Sequence, residues 1–351
     1  MGFQRVLNAV DVHSGIPMRV VTGGLPAIPG STMYEKMKWL ESNGDDLRKM
    51  LLREPRGYPP YCCNLIIPSE NPHADMGFII MEQTEYPVMS GGNTIAVATV
   101  LLETGIIPMR EPKTEFVLES PAGLIEITAE CANGKAKMIT FRNVPSFAAY
   151  IDAAITVPEL GELRVDVGWG GMFYVITDLS QLPQLQLEPE QAQELVRVAS
   201  MICQAASEQL PVAHPDYPGI GITVSQLSGQ PTGDQADSRN AVTMATGSFD
   251  WRNRATWTGV LDRCPSGTGT SAKMAVLHAK GELSLREKFR HQGILEDIIY
   301  TGELVAEEEV AGRRGVIPQV TGSAWIFGLN TLVLDADDPY PEGFTVGDLW
   351  A

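Results

Sequence analysis

Part of the second half of this 351-residue chain repeats the first. The stretch Ser90-Gly-Gly-Asn-Thr-Ile-Ala-Val-Ala-Thr-Val-Leu-Leu-Glu-Thr-Gly105 returns as Ser266-Gly-Thr-Gly-Thr-Ser-Ala-Lys-Met-Ala-Val-Leu-His-Ala-Lys-Gly281, at a fixed offset of 176 residues. At that offset Ser90/Ser266, Gly91/Gly267, Thr94/Thr270, Ala96/Ala272, Val100/Val276, Leu101/Leu277, Gly105/Gly281, Arg110/Arg286 and Glu111/Glu287 are identical. Nine identities in register over 22 positions exceed what chance supplies. A weaker echo pairs Val10-Asp-Val12 with Val165-Asp-Val167. Self-similarity of this kind marks a repeated folding unit. The repeat therefore predicts two similar lobes, residues 1–155 with the Ser90 turn and 156–330 with the Ser266 turn. The link between them is expected near 150–162, with 331–351 returning to the first lobe. A chain of this length can supply two separate cores.

Each copy reads alike. A Gly-rich turn leads into an Ala/Val/Leu stretch with helical spacing, closed by a Gly where a helix C-cap belongs. The small residues Ala96, Ala98, Ala272 and Ala275 predict a helix packed closely on every side, at the centre of its lobe. Short segments of strand character surround it, at 64–67, 77–81, 115–118, 123–128, 138–142, 173–177, 220–226 and 240–244. Turn signals such as Ala132-Asn-Gly134 and Pro121-Ala-Gly123 separate them. Besides the two repeat helices, only 33–53 and 188–207 read as helical. The expected fold class is α+β, each lobe a curved, mostly antiparallel, barrel-like sheet around one helix.

Composition excludes several function classes. The formal net charge of −17 repels phosphate backbones, which argues against nucleic acid as a partner. No apolar run reaches the roughly 18 residues of a membrane span. The start of the chain lacks a secretory pattern. Five cysteines, at 62, 63, 131, 203 and 264, are too sparse for a disulfide framework and lack metal-ligand spacing. These features predict a cytoplasmic protein with reduced thiols.

The chemistry can be placed where each repeat helix opens. Gly91 and Gly92, and likewise Gly267 and Gly269, present bare backbone N–H groups at a helix N-terminus, which attracts anions. Two such termini, one per lobe, could hold one small carboxylate across a cleft, with Ser90 and Ser266 on opposite sides of its α-carbon. That arrangement suits removal of a proton from one face and its return to the other. The plainer alternative is that both serines are ordinary N-caps.

The motifs that carry these serines resemble the proline racemase family. That family has a Met-Cys-Gly-His type motif in its first lobe and Asp-Arg-Ser-Pro-Cys-Gly-Thr-Gly-Thr in its second. Here the same places read Met89-Ser-Gly-Gly-Asn-Thr94 and Asp262-Arg-Cys-Pro-Ser-Gly-Thr-Gly-Thr270. Glu54-Pro-Arg-Gly57, Ala74-Asp75, Gly170-Gly171, His214-Pro215, Thr321-Gly-Ser-Ala-Trp325 and Asp338-Pro-Tyr-Pro-Glu-Gly343 extend the similarity over nearly the whole chain. The resemblance implies the diaminopimelate epimerase fold, a homodimer, and chemistry without metal or pyridoxal phosphate. It puts Ser90 and Ser266 at the two acid/base positions, and Gly91, Gly92, Gly267 and Thr268 at the carboxylate cradle. Asp262 falls at the acid that binds a ring ammonium. His214 either reaches a substrate hydroxyl or fixes a turn.

Both family cysteines are serines here, and the His of the first motif is Gly92. A thiol titrates near about 8.5 and a helix N-terminus lowers it further, whereas an alkanol is a much weaker acid with no activating base nearby in the sequence. Cys264, two residues before Ser266, reads as a buried small hydrophobe rather than a base. Three functions are consistent with the residues. Dehydration of trans-3-hydroxy-L-proline is favoured, because one proton abstraction and loss of a β-hydroxyl asks less of the second residue. The alternatives are 4-hydroxyproline 2-epimerase or proline racemase activity, and a non-catalytic binder of proline-like ligands.

Overall fold

The computed structural model describes residues 3–310 and 312–350. It divides into two compact units, Met1–Phe141 with Gly322–Trp350, and Arg142–Thr321.

The first unit begins with β1 (Phe3–His13), β2 (Pro17–Gly23), α1 (Met33–Asn43), α2 (Asp45–Leu52), β3 (Cys62–Ile67) and β4 (Met76–Met81). It continues through α3 (Gly91–Glu103), β5 (Lys113–Ser120), β6 (Gly123–Ala132) and β7 (Lys135–Arg142). The second unit contains β8 (Ser146–Val157), β9 (Gly161–Trp169), β10 (Phe173–Asp178), α4 (Ala192–Gln209), β11 (Ile222–Gly229), β12 (Ser238–Met244) and β13 (Val260–Leu261). It then runs through α5 (Gly267–Lys280), β14 (Lys288–Gln292), β15 (Ile299–Val310) and β16 (Arg313–Gly322), after which β17 (Trp325–Asp335) belongs to the first unit.

The duplication seen in sequence is carried by the strand pairings. In the first unit β17–β1, β1–β2, β3–β4 and β5–β6 pair antiparallel, and β2–β3 and β4–β5 pair parallel. In the second, β8–β9, β9–β10, β11–β12 and β14–β15 pair antiparallel, and β10–β11 and β12–β14 pair parallel. The two series are the same, strand for strand. In the second unit β16 pairs with both β15 and β8, which closes the sheet into a barrel.

One helix sits inside each sheet. Residues 91–102 of α3 are all buried, and its sequence carries no charge before Glu103, which is the pattern of a helix apolar all round. The Thr99 hydroxyl is reconciled with this core by donating to the Ile95 carbonyl at 2.8 Å. Helix α3 packs on β1, β2, β3 and β17, and α5 on β8, β9, β10 and β15. Gly281 ends α5 at φ 76°, the left-handed conformation that favours glycine at this position. Asn133 and Gly134, at φ 56° and 69°, make the tight hairpin between β6 and β7.

The division between units differs from the sequence expectation near 155. It falls after Phe141 because β8 forms a long hairpin with β9 that ties 146–157 to the second unit. The chain rejoins the first unit at Gly322 rather than 331, since β17 pairs with β1 from Trp325 onward. Two stretches that carry the family resemblance, 54–57 and 338–343, clasp each other there. Arg56 Nη2 lies 2.8 Å from Asp338 Oδ2, and Phe344 N–H donates to the Glu54 carbonyl at 2.8 Å. These motifs anchor the chain end.

Candidate functional site

Each unit presents one serine at the N-terminus of its buried helix, and the two surroundings differ. Ser90 is extended (φ −149°, ψ 123°) and its side chain does not cap α3. Its Oγ accepts a hydrogen bond from Asn93 Nδ2 at 2.9 Å. Asn93 Oδ1 in turn accepts from Asn64 Nδ2 at 2.7 Å, so β3 orients the amide that holds the serine. The first intrahelical bond runs from Thr94 N–H to the Ser90 carbonyl at 2.9 Å. The N–H groups of Gly91, Gly92 and Asn93 precede it and have no acceptor within the helix.

Ser266 takes the opposite backbone hand, at φ 60° and ψ 113°, a conformation that costs about 1–3 kcal/mol for a residue with a Cβ. Its Oγ caps α5, accepting from Gly269 N–H at 3.1 Å. It also lies 3.0 Å from the hydroxyl of Tyr174, which lies 2.8 Å from Thr268 Oγ1. Thr270 N–H donates to the Ser266 carbonyl at 2.8 Å, leaving the N–H groups of Gly267 and Thr268 without an acceptor within the helix. Gln226 Oε1 would lie 2.8 Å from a Cβ at Gly269, and neither end of that buried amide makes a hydrogen bond among the described residues.

Asp262 and Cys264 complete this second cluster. The Asp262 Oδ1 accepts from Cys264 N–H at 2.8 Å and its Oδ2 from the Cys264 thiol at 3.2 Å, while Ser266 N–H donates to the same sulfur at 3.3 Å. Asp262 is 7% exposed, and the charge of the adjacent Arg263 acts on it. Burial pushes its carboxyl up to about 6, against the two hydrogen bonds from Cys264 and the Arg263 charge. Burial and the neighbouring Asp262 also raise the Cys264 thiol. The thiol is therefore a weaker acid than a free one and forms a hydrogen-bonded bridge between carboxylate and serine backbone.

His214 is buried in an aromatic cluster rather than in either serine turn. Its ring centroid lies 4.5 Å from that of Trp169 and 4.6 Å from Tyr217. Nδ1 accepts from Asp216 N–H at 3.3 Å, and burial lowers the imidazole pKa. The ring packs against Trp169, the last residue of β9. Gly170, next along the chain from Trp169, meets the opening turn of α5: a Cβ there would stand 2.2 Å from the Thr268 carbonyl oxygen. Gly170→Ala is thus expected to cost about 3 kcal/mol, read by denaturant unfolding, with loss of ligand binding because the Thr268 turn must shift.

Among the described residues no helix is long and apolar enough to cross a membrane, and no group of three or more His, Cys, Asp or Glu is placed to hold a metal. All five cysteines are free thiols.

A family model described as proline racemase matches residues 9–345. The chain belongs to the proline racemase family. This proline racemase family member is 37% identical over 353 residues to a 4-hydroxyproline 2-epimerase of Rhizobium etli, an alignment covering 100% of this chain and 98% of that protein. It superimposes with a TM-score of 0.91 on the crystal structure of a hydroxyproline epimerase from Agrobacterium vitis with bound trans-4-hydroxy-L-proline, at 37% identity, covering 100% and 97% of the two chains. A phenazine biosynthesis protein of Bacillus anthracis, 13% identical with a TM-score of 0.57 over 94% of this chain, shares the fold alone.

In this family member the sequence had singled out Ser90, Gly91, Gly92, Asp262, Ser266, Gly267 and Thr268. The structure gathers the first three at one helix terminus and the last four at the other. Tyr174, Asn93, Asn64 and Gln226 were missed. Tyr174 lies 92 residues before Ser266 and no motif joins them. Asn93 stood inside the quoted motif, but only a folded turn shows its amide on the serine.

Proposed function

We propose that this enzyme epimerises 4-hydroxyproline at its α-carbon, Ser90 acting on one face and Ser266 on the other. The reading is carried by the second cluster: a buried carboxylate, Asp262, bridged through the Cys264 sulfur to the Ser266 backbone N–H. A buried charge needs a counter-charge, and the ring ammonium of a proline-like amino acid supplies it through a charge-assisted hydrogen bond. The N–H groups at Gly91, Gly92, Gly267 and Thr268 suit its carboxylate. The epimerase names and the bound trans-4-hydroxy-L-proline of relatives at 37% identity support the ring hydroxyl at C4.

Dehydration of trans-3-hydroxy-L-proline is the second reading. It is favoured by one asymmetry: Ser266 lies on the Tyr174 phenol, whereas the Ser90 hydroxyl accepts from the Asn93 amide, a group that is neither acid nor base. A reaction needing one proton abstraction would use such a pair. Incubating the protein with each hydroxyproline, followed by chiral chromatography, separates the two. Appearance of the 2-epimer from trans-4-hydroxy-L-proline supports the first reading. A pyrroline product from the 3-hydroxy isomer replaces it with the second, and a ligand-induced rise in melting temperature without any product indicates a binder.

The homodimer is also a proposal. It is supported by the alternating exposed row Trp325, Phe327 and Leu329 on β17, at 50%, 55% and 77% exposure, continued along the strand by Val333 opposite Val6 of β1. Sedimentation equilibrium is expected to give twice the chain mass, and Phe327→Glu to return the monomer.

A further inference from the structure

We propose that Tyr174 is the proton partner of Ser266, so that the acid/base unit on this face is a phenol working through a serine hydroxyl. The inference rests on the reading that Ser266 exchanges a proton with the substrate α-carbon. Tyr174 lies on β10, is 3% exposed, and its hydroxyl sits between Ser266 Oγ at 3.0 Å and Thr268 Oγ1 at 2.8 Å. Ser266 Oγ receives the Gly269 N–H on another side, which leaves its own proton free to move along the Tyr174 contact. Phenols ionise near about 10 in model compounds, far more readily than alkanols. A Ser–Tyr pair therefore restores part of the acidity that is lost where the family has a thiol.

The step balances without a further reactant. When this face removes a proton, the Cα–H bond breaks and its proton goes to Ser266 Oγ, while the serine's own proton passes to the Tyr174 phenolate. Serine is neutral before and after, and the negative charge moves from the phenolate to the substrate carbon. When this face delivers a proton, the steps reverse: Ser266 Oγ–H goes to carbon, and the Tyr174 phenol returns a proton to the serine and becomes phenolate. The Thr268 hydroxyl and Gly269 N–H, donating to phenolate and serine oxygen, stabilise the charge where it rests. Tyr174 acts through Ser266 and need not touch the substrate.

The test compares wild type, Y174F, S266A, S266C and the Y174F/S266C double variant for Cα-proton exchange into deuterated water across pH 6–10, with both C2 diastereomers of 4-hydroxyproline as probes and the rate read on the diastereomer whose exchange S266A abolishes. Y174F is expected to lose exchange by about a hundredfold and to flatten the rise in rate with pH on this face. The double variant is expected to recover to within about tenfold of S266C, because a thiol titrates on its own near about 8.5. A merely structural phenol would give no such rescue. If Y174F folds poorly, T268V keeps the phenol but removes a donor to the phenolate, and the alkaline limb is expected to move upward. Exchange in Y174F within threefold of wild type, an unmoved limb in T268V, or a double variant no better than Y174F, overturns the pair alone. Absence of exchange in the wild type overturns both the pair and the reading on which it rests.

Discussion

Replacing Ser266 by alanine is expected to lower epimerisation about a thousandfold, the range that a positioned general acid or base contributes. The loss should appear in turnover rather than in binding, because Asp262 and the N–H groups of Gly267 and Thr268 remain. Ser266 is also the one non-glycine residue of the two turns held at positive φ, 60°. Ser266→Gly is therefore expected to lose the same activity yet fold more stably than Ser266→Ala, by about 1 kcal/mol, as measured by urea unfolding. A glycine variant that kept turnover would return Ser266 to the status of a helix cap. Ser90 has no such strain, and Ser90→Ala should lose inversion with little change in stability.

The second large effect concerns Asp262→Asn, in which function and stability move in opposite directions. Burial raises the folded carboxyl from its ordinary 3.8 to about 6, so the folded protein holds this proton more tightly than the unfolded chain does. As pH rises from about 4 to about 6 the unfolded chain ionises first, and the contribution to stability falls through that window, with the full deficit present above it. Two pKa units amount to about 3 kcal/mol. An asparagine carries no charge and accepts from Cys264 N–H in the same way. The variant is expected to be more stable than wild type at pH 8 by about 1–3 kcal/mol, with the difference vanishing near pH 4. Affinity for proline-like ligands should fall about a hundredfold, as when one member of a buried charge pair is removed. In wild type the same ionisation makes KM fall about tenfold per pH unit as pH approaches about 6, then level off; in the variant KM should be flat. A destabilised variant, or unaltered KM, would show that Asp262 is a turn residue.

Much of this was legible in the chain itself. The 176-residue repeat gave the two buried helices and the placement of both serines at their openings, because helical spacing, glycine turns and uncharged sequence all leave local marks. Strands at 64–67, 77–81 and 173–177 were readable for the same reason. The unit boundaries were not, since β8 and β17 are fixed by their pairing with β9 and β1 rather than by any local pattern. Nor did identity in sequence mean identity in shape: Ser90 and Ser266 occupy matching repeat positions yet differ in φ by hand, −149° against 60°. The two copies differ in sequence there, Asn93 of the first corresponding to Gly269 of the second. A side-chain amide holds the first serine and a backbone N–H the second. His214 was legible as a motif only; its stacking on Tyr217 is local, but its tilted contact with Trp169 depends on a strand remote in sequence.

The central claim is that the two serines serve opposite faces of one α-carbon. It is tested most directly by following Cα deuteration of both C2 diastereomers of 4-hydroxyproline in deuterated water with Ser90→Ala and Ser266→Ala. Each variant should lose inversion while still exchanging one diastereomer, and the two variants should exchange opposite ones. Exchange of the same diastereomer by both variants, or inversion surviving in either, would contradict the claim.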